Sequence, residues 1–317
     1  MEQQYAYATG LASVTYEGKV LEVWYPEPKL ANEAPQTNPD QELADKLATA
    51  TNEDDARHVR TEVVFTVSNL AEAVTDTADA YLRLQVLSHR LRQPNTINLE
   101  GLFGALVNVV WTDAGPCDAE TFEEVRWLLR LKNGKFPHVY TVDKFPSLTD
   151  YVQPEGVRIA DARRVRLGAY LSPGTTVMPA GFVNFNAGTL GTSMVEGRIA
   201  QGVVIGDGSD IGGGASMMGT LSGGGKKRVA LGKRCLLGAE AGLGIALGDD
   251  CVVEAGLYLT AGTKVTVVTE DEEIVVSARD LSGQSNLLFW RNSKTGRVEA
   301  RPRNGVGIEL NAALHAN

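Results

Sequence analysis

The sequence contains few of the residues that cross-link chains or hold metal ions. The three cysteines form no CxxC pair, which excludes a disulfide framework and favours small buried thiols in a reducing compartment. They are Cys117, Cys235 and Cys251 in a chain of 317 residues. The histidines, which also bear on the chemistry considered below, are His58, His89, His138 and His315.

Long apolar runs and an excess of basic residues are also missing. No uninterrupted apolar run approaches the roughly 20 residues of a membrane span, and the first residues, MEQQYAYATGLASV, lack the regions of a signal peptide. The formal net charge of −9 argues against a general nucleic-acid binder. A few local Lys and Arg side chains still suit a small anionic ligand. We therefore expect a cytoplasmic protein that binds neither nucleic acid nor membranes.

Residues 1–150 predict an N-terminal domain of mixed α and β structure. Alternating apolar residues on both sides of Glu17–Gly18 predict a hairpin, and TEVVFTVSNL predicts a strand. Apolar residues at helical spacing predict one long helix from Leu70 to Leu91, with shorter helices in DQELADKLAT and TFEEVRWLLRLK. We expect residues 100–111, EGLFGALVNVVW, to be buried, and FPSLTDYVQPEG to form a linker.

From residue 157 onward a six-residue period replaces this pattern. The apolar residues at this spacing are Ile159, Val165, Leu171, Val177, Val183, then Ile199, Ile205, Ile211, Met217, then Val229, Cys235, Ala241, Leu247, Val253, Leu259 and Val265. Glycine follows many of them three positions later, at Gly168, Gly174, Gly202, Gly208, Gly214, Gly232, Gly238, Gly244, Gly256 and Gly262. A six-residue unit sustained over about a hundred residues is the signature of a parallel β-helix built from hexapeptides.

Each such unit supplies a short strand and a turn, with the apolar residue inside and glycine giving the corner its backbone freedom. Three units form one triangular turn, and the turns stack at the spacing of neighbouring strands, about 4.8 Å. We predict this mainly β fold for residues 157–268. A small C-terminal β segment, residues 269–317, is expected to cap the last strand edge.

Two segments interrupt the period, and loops on a rigid scaffold are where function is expected. One is NAGTLGTSMVEGR, residues 186–198, which places Glu196 and Arg198 beside the repeat; the other is TLSGGGKKR, residues 220–228. The second lacks the GxxxxGK[ST] pattern of a nucleoside-triphosphate loop, but Lys226 and Lys227 after three glycines suit a phosphate-bearing ligand. An accidental insertion and a solvated loop are the alternative interpretations.

The repeat region contains no histidine. Transfer of an acyl group to a hydroxyl needs a strong base, usually histidine, and a zinc hydratase needs several histidine ligands. An amine nucleophile has only to lose the proton of its ammonium form, and a carboxylate such as Glu196 can accept that proton. The sequence therefore favours N-acylation.

In its hexapeptide repeat and in the two segments that interrupt it, the chain resembles the actinobacterial type of tetrahydrodipicolinate N-succinyltransferase. The resemblance covers most of the chain, and its most specific parts are SMVEGRI and SGGGKKR. It implies a left-handed parallel β-helix and a homotrimer with active sites between subunits. It also implies transfer of a succinyl group from succinyl-CoA to the amine of ring-opened tetrahydrodipicolinate, 2-amino-6-oxopimelate, in diaminopimelate and lysine biosynthesis.

The resemblance assigns roles to single residues. Glu196 matches the catalytic glutamate, either as a general base or as a nucleophile that forms a succinyl anhydride; we favour the base, because a bound amine can attack a thioester directly. Arg198 matches the arginine associated with the acyl donor, and its guanidinium suits the succinyl carboxylate. The positions that match the coenzyme site are Gly213, Ser216, Ala239, Glu254, Ala255, Gly262, Arg291, Asn292 and Ser293.

One departure concerns a metal ion. Some members of the family bind magnesium on the trimer axis through acidic side chains, whereas this chain has Arg163 and Ala180 at those positions. Neither is a Mg²⁺ ligand, so the sequence predicts no metal site. Two other functions stay open at this point: another CoA-dependent N-acyltransferase of the hexapeptide class, and a non-catalytic trimeric scaffold or ligand sensor.

Overall fold

The computed structural model describes residues 3–222, 227–269 and 272–303. The chain divides into two compact units. The first consists of Met1–Gln153 with Arg166–Gly168, and the second of Pro154–Val165 with Ala169–Asn317. In the part of the chain that is described, no helix is both long and apolar enough to cross a membrane.

The first unit combines two antiparallel sheets with four helices. Its strands are β1 (Tyr5–Thr15), β2 (Val20–Trp24), β3 (Lys29–Ala31), β4 (Glu53–Asp54), β5 (Val59–Asn69), β6 (Val109–Thr112), β7 (Gly115–Asp118) and β8 (Val139–Asp143). Its helices are α1 (Gln41–Ala48), α2 (Thr77–Ser88), α3 (Leu102–Ala105) and α4 (Phe122–Asn133). One sheet has the order β2-β1-β5-β4, with β3 also on β1, and the other has the order β7-β6-β8. The predicted hairpin, strand and two short helices are confirmed.

The long helix predicted from Leu70 is wrong in its first part, because α2 begins only after Asp76. The Asp76 carboxylate caps α2 by accepting a hydrogen bond from the backbone N–H of Asp79 at 2.9 Å. The buried guanidinium of Arg83 donates to the carbonyl oxygens of Asn69 and Glu72. These bonds hold the segment before α2 in a turn that helical backbone does not permit.

Two further expectations for the first unit need correction. Residues 100–111 are only partly buried, since Phe103 is 58% exposed. The segment expected to be a linker is packed instead: it contains the 3₁₀ turn Leu148–Asp150, and Phe145 and Leu148 are buried. Tyr151 also anchors it, because its hydroxyl donates a hydrogen bond to the carboxylate of Glu22.

The second unit is built from short strands. They are β9 (Arg158–Ile159), β10 (Tyr170–Leu171), β11 (Thr175–Val177), β12 (Phe182–Val183), β13 (Gly188–Thr189), β14 (Ser193–Val195), β15 (Arg198–Ile199), β16 (Val204–Ile205), β17 (Asp210–Ile211), β18 (Ser216–Met217), β19 (Ala230–Leu231), β20 (Leu236–Leu237), β21 (Gly242–Leu243), β22 (Val252–Val253), β23 (Tyr258–Leu259), β24 (Lys264–Val268), β25 (Glu273–Ser277), β26 (Leu287–Arg291) and β27 (Val298–Pro302). The mainly β character predicted for this region is confirmed. Strands β25, β26 and β27 lie within residues 269–317, where C-terminal strands are expected from the sequence.

These strands form three sheets, which the chain visits in turn. Sheet I contains β9, β11, β14, β17, β20, β22 and β26 as parallel neighbours, and continues through β27, β24 and β25. Sheet II has the order β12-β15-β18-β21-β23, and sheet III the order β10-β13-β16-β19; both are parallel. From β10 to β21 the chain visits sheets III, I and II in turn, and single bridges at Val165 and Leu247 stand in for the missing strand at either end of this run. Equivalent residues of successive rounds therefore lie on neighbouring strands, about 4.8 Å apart.

Each sheet has one column of paired residues that point into the core, buried except for Ile159 at the start. The column of sheet I is Ile159, Val177, Val195, Ile211, Leu237, Val253 and Phe289. Sheet II has Val165, Val183, Ile199, Met217, Leu243 and Leu259. Sheet III has Leu171, Thr189, Ile205, Leu231 and Leu247.

The predicted phase of the period is wrong between residues 229 and 241. Val229, Cys235 and Ala241 are buried, but each lies two positions before the column residue of its strand. The period also continues through the first interruption, at Thr189 and Val195. The period breaks at three places: a four-residue step from Val195 to Ile199, a step of fourteen residues from Met217 to Leu231, and a four-residue step from Leu243 to Leu247. The second contains the predicted interruption at residues 220–228, and the third was not predicted.

A second buried column precedes that of sheet I by two positions and is polar. Its members are Thr175, Ser193, Ser209, Cys235 and Cys251. The Ser209 hydroxyl donates to the carbonyl of Gly232 at 2.6 Å and accepts from the N–H of Cys235 at 2.9 Å. The Cys235 sulfur accepts in the same way from the N–H of Cys251, at 3.2 Å. The thiols thus continue a hydrogen-bonded spine, and the burial expected for the cysteines is confirmed.

Candidate active site

The shortened step after Val195 gives Glu196 an unusual place. We call the residues between a strand of sheet I and the next strand of sheet II an I–II corner. The corner Glu196–Gly197 has two residues instead of the usual four. Glu196 therefore directly follows β14 and is separated from β15 by Gly197 alone. Its backbone N–H donates to Ile211 O at 2.8 Å, which fixes its position. The half-exposed Glu196 carboxylate has no hydrogen-bond partner among the described residues, so its oxygens are free to accept a proton.

Small residues line the I–II corners beyond Glu196. The residues two positions after the column of sheet I are, in successive rounds, Gly197, Gly213, Ala239 and Ala255. A Cβ added to Gly213 would lie 3.4 Å from Glu196 Oε2, so the carboxylate rests against this row. No side chain larger than a methyl group therefore stands on this row, which starts beside Glu196.

The backbone of the same row is open to a ligand. The carbonyls of Gly213 and Ala239 accept hydrogen bonds from Glu240 and Gly256, at 2.8 Å each. Within residues 3–222, 227–269 and 272–303, nothing accepts a hydrogen bond from the N–H groups of Gly213, Ala239 and Ala255. Three donors therefore line one edge at intervals of about 4.8 Å.

The row ends at a bond between Glu254 and the C-terminal strands. Arg291 occupies the next equivalent position, since Val253 pairs with Phe289. The Glu254 carboxylate accepts a hydrogen bond from the backbone N–H of Arg291 at 2.8 Å. Asn292 donates through its side-chain amide to Glu299 at 2.7 Å, and the exposed Ser293 follows in the turn.

Arg198 and Ser216 meet on the outer face of sheet II. They are directly paired in β15 and β18, and both precede a column residue by one position. The guanidinium of Arg198 donates to Ser216 Oγ, with distances of 3.1 Å from Nε and 2.8 Å from Nη2. A planar guanidinium held at one edge keeps its remaining N–H groups available for a carboxylate.

Lys227 and Gly262 lie where the chain leaves sheet II. The base of the loop that contains Lys227 is fixed by a hydrogen bond from the N–H of Leu221 to Lys227 O at 2.9 Å. Ser222 joins the two segments, because its hydroxyl accepts from the N–H of Ala261 at 2.6 Å. A Cβ on the exposed Gly262 would meet no atom within 4 Å. Lys226 lies outside the described residues.

The two residues that the resemblance places at an axial metal site make other contacts. Arg163 forms an ion pair with Asp161 at 3.1 Å, and the carbonyl of Ala180 accepts from Arg164 at 3.1 Å. Among the described residues, no group of three or more His, Cys, Asp or Glu could hold a metal ion. The loss of the axial metal site stays a prediction.

Sequence reasoning missed one residue of this neighbourhood, Tyr258. It belongs to the outward positions of sheet II, as Arg198 and Ser216 do, and directly precedes the column residue Leu259. A signal existed in the sequence: one position before each column residue of sheet II lies an outward side chain.

Comparison with known proteins agrees with this geometry. The family model "Tetrahydrodipicolinate N-succinyltransferase middle" matches residues 106–147, and "Hexapeptide repeat of succinyl-transferase" matches residues 228–261. A 2,3,4,5-tetrahydropyridine-2,6-dicarboxylate N-succinyltransferase from Salinispora tropica is 58% identical over 99% of this chain and 98% of its own length. One of the same name from Pseudomonas aeruginosa is 58% identical over 77% of this chain and 71% of its own.

A solved structure has a similar fold. It is a Campylobacter jejuni protein titled as a 2,3,4,5-tetrahydropyridine-2-carboxylate N-succinyltransferase, with a TM-score of 0.82 and 28% identity. The match covers 95% of this chain and 93% of that one. On the near-complete match to the Salinispora protein, this chain belongs to the tetrahydrodipicolinate N-succinyltransferase family.

Proposed function

We propose that the protein transfers the succinyl group of succinyl-CoA to the amine of 2-amino-6-oxopimelate, the ring-opened form of tetrahydrodipicolinate, in diaminopimelate and lysine biosynthesis. The observation that carries this proposal is the free carboxylate of Glu196 at the start of the row of small residues Gly213, Ala239 and Ala255. Membership of an N-succinyltransferase family supports the choice of acyl group.

In the proposed reaction the neutral amine attacks the carbonyl carbon of the thioester, and a carbon–nitrogen bond forms. Glu196 accepts the proton that the nitrogen loses, directly or through a water molecule. The tetrahedral intermediate then collapses, the carbon–sulfur bond breaks, and coenzyme A leaves as its thiolate, which takes up a proton. Glu196 acts as a base, and no succinyl-glutamate forms.

The donor is proposed to lie along the I–II corners. The amides of its pantetheine arm are extended hydrogen-bond acceptors and donors, and the unbonded N–H groups of Gly213, Ala239 and Ala255 suit their carbonyls. Arg198, beside Ser216, binds the terminal carboxylate of the succinyl group. Glu254 holds Arg291, with Asn292 and Ser293, near the far end of the coenzyme. Lys226, Lys227 and Gly262 take the phosphate-bearing part.

The finer architecture is also a proposal. The three sheets are proposed to be the faces of a left-handed parallel β-helix, a handedness that the period of the sequence does not determine. We propose domains at residues 1–150, 157–268 and 269–317, and a homotrimer whose active sites lie between subunits. A solution mass of about 102 kDa, three times the 34.0 kDa of one chain, is the expected result of light scattering.

The test combines purified enzyme, succinyl-CoA and the ring-opened substrate, and follows thiol release. We expect turnover that acetyl-CoA does not support at equal concentration. Glu196→Gln should lower kcat by about 10²- to 10⁴-fold, the usual worth of a general base, while the trimer mass stays unchanged. Glu273→Gln, an exposed glutamate paired with Arg297, serves as the matched control. Full activity of Glu196→Gln, or a succinylated Glu196 in mass spectra, would overturn the proposed role.

A further inference from the structure

The outer face of sheet II brings two side chains together from opposite directions. Its paired outward residues are Phe182, Arg198, Ser216, Gly242 and Tyr258. Arg198 leans toward the C-terminal rounds and lies over Ser216. Tyr258 leans toward the N-terminal rounds and lies over Gly242. A Cβ added to Gly242 would be 2.1 Å from the ring atoms Cδ2 and Cε2 of Tyr258. The ring therefore covers the strand next to Ser216.

Only glycine permits this arrangement at residue 242. Because the Tyr258 ring lies against its Cα, Gly242 is buried although it points outward. Tyr258 itself keeps 43% of its surface exposed. One side of the ring is thus used by the backbone of β21, and the rest of the ring is available to a ligand.

The chain places this exposed surface between two segments of the proposed coenzyme site. Ala255 belongs to the row of small residues on one edge of sheet II, and Gly262 lies where the chain leaves its other edge. Tyr258 is the outward residue between them. A ligand that contacts both edges must cross the ring.

We propose that Tyr258 is a positioning residue for the coenzyme arm of the acyl donor. The exposed side of its ring packs against the methylene and amide groups of the arm, one strand beyond the Arg198–Ser216 pair. The donor is thereby held with its thioester at Glu196. This inference rests on the proposed function, since it concerns the same site.

The test compares three variants in binding and in turnover. Tyr258→Ala removes the ring, and Gly242→Ala keeps the ring but forces it off the strand. Both should weaken binding of coenzyme A, measured by calorimetry, and raise the KM for succinyl-CoA by about tenfold, a typical worth of an aromatic contact. Tyr258→Phe, which keeps the ring, should stay within about twofold of the wild type. The KM for the amine should not change.

Tyr170→Ala is the matched control, because Tyr170 points outward from sheet III. It should leave the affinity for coenzyme A unchanged. If Tyr258→Ala binds coenzyme A like the wild type, with an unchanged melting temperature, the inference is wrong although the enzyme remains active. If the wild type itself neither binds coenzyme A nor releases thiol from succinyl-CoA, the proposed function fails instead.

Discussion

The carboxylate of Glu196 lies against Gly213, a residue of the next round of the repeat. A Cβ built on Gly213 would be 3.4 Å from Glu196 Oε2, which is ordinary van der Waals contact. The two residues are neighbours because Val195 pairs with Ile211, so the short corner of Glu196 stacks on the longer corner that follows. The size of residue 213 therefore controls where the Glu196 carboxylate can lie.

This contact predicts the effect of enlarging residue 213. Gly213→Val places a branched side chain against Glu196 Oε2 and should lower kcat by at least about tenfold, since small displacements of a catalytic group are costly. Gly213→Ala adds only the tolerated Cβ and should keep most of the activity. Steady-state kinetics with a melting curve for each variant tests this. Equal kcat values for the Val variant and the wild type would contradict it.

The row of small residues predicts a separable effect on the donor. Ala239 is exposed in the middle of the row, so Ala239→Leu should obstruct the proposed path of the coenzyme arm without disturbing the core. We expect the KM for succinyl-CoA to rise by about tenfold or more, equivalent to about 1.4 kcal/mol. The kcat at saturation and the KM for the amine should stay near the wild-type values. Ala239→Ser, which keeps a small side chain, is the control and should behave like the wild type.

The buried polar spine predicts a cost in stability rather than activity. Ser209→Ala removes the donor to Gly232 and the acceptor for Cys235, which leaves buried backbone groups unpaired. Such a loss costs about 1–3 kcal/mol of unfolding free energy. Ser209→Cys should cost less, because Cys235 already fills the equivalent place in the next round. Denaturant unfolding measures both; an Ala variant as stable as the wild type would show that the spine is energetically neutral.

Glu22 in the first unit predicts a pH dependence. Burial raises the pKa of Glu22, and this outweighs the opposing effects of the hydrogen bonds from Ser13 and Tyr151. A carboxyl group whose pKa is higher in the folded than in the unfolded state stabilises the folded protein at pH values below the pKa of the unfolded state. This contribution is lost as the pH rises through the pKa of the folded state. Glutamine cannot ionise. The stability of Glu22→Gln relative to the wild type should therefore increase from about pH 4 to pH 7.

Asp250 supplies a control of opposite sign. Its hydrogen-bonded pair with Arg234 lowers the pKa of Asp250, so its contribution is present above the unfolded pKa and lost as the pH falls through the folded one. Asp250→Asn should thus become less stable, relative to the wild type, as the pH rises from about 2 to about 5. Thermal unfolding at several pH values tests both variants. Parallel, pH-independent differences would contradict the account of Glu22.

The period of the sequence predicted the repeated strands because buried side chains recur wherever one sheet stacks on itself. It predicted the phase less well, because every strand of the repeat after β9 buries two positions, two residues apart, and an apolar residue at the first can be mistaken for the column residue at the second. The polar Thr189 also occupies a column position, where Thr175 shares a 2.6 Å hydrogen bond with it. No apolar pattern could identify that residue.

Glycine was an incomplete guide to the corners. Four corners of the repeat have the left-handed backbone at a residue other than glycine, namely Asn186, Arg234, Glu240 and Asp250, with φ of 52°, 54°, 58° and 59°. The pair of Arg234 with Asp250, at 2.6 Å, is a tertiary contact that local sequence does not reveal. The motif in the sequence was enough to predict Glu196 and Arg198. Tyr258 could not be predicted in this way, because its place depends on a tertiary contact: its ring covers Gly242, sixteen residues earlier in the chain.

A structure with coenzyme A bound tests the central claim most directly. The account predicts that the pantetheine arm follows Ala255, Ala239 and Gly213, and that its sulfur ends beside the Glu196 carboxylate, leaving room for an amine about 3–3.5 Å from the acyl carbon. An arm bound along a different edge of the sheets, or a sulfur on the far side of sheet II from Glu196, would contradict it.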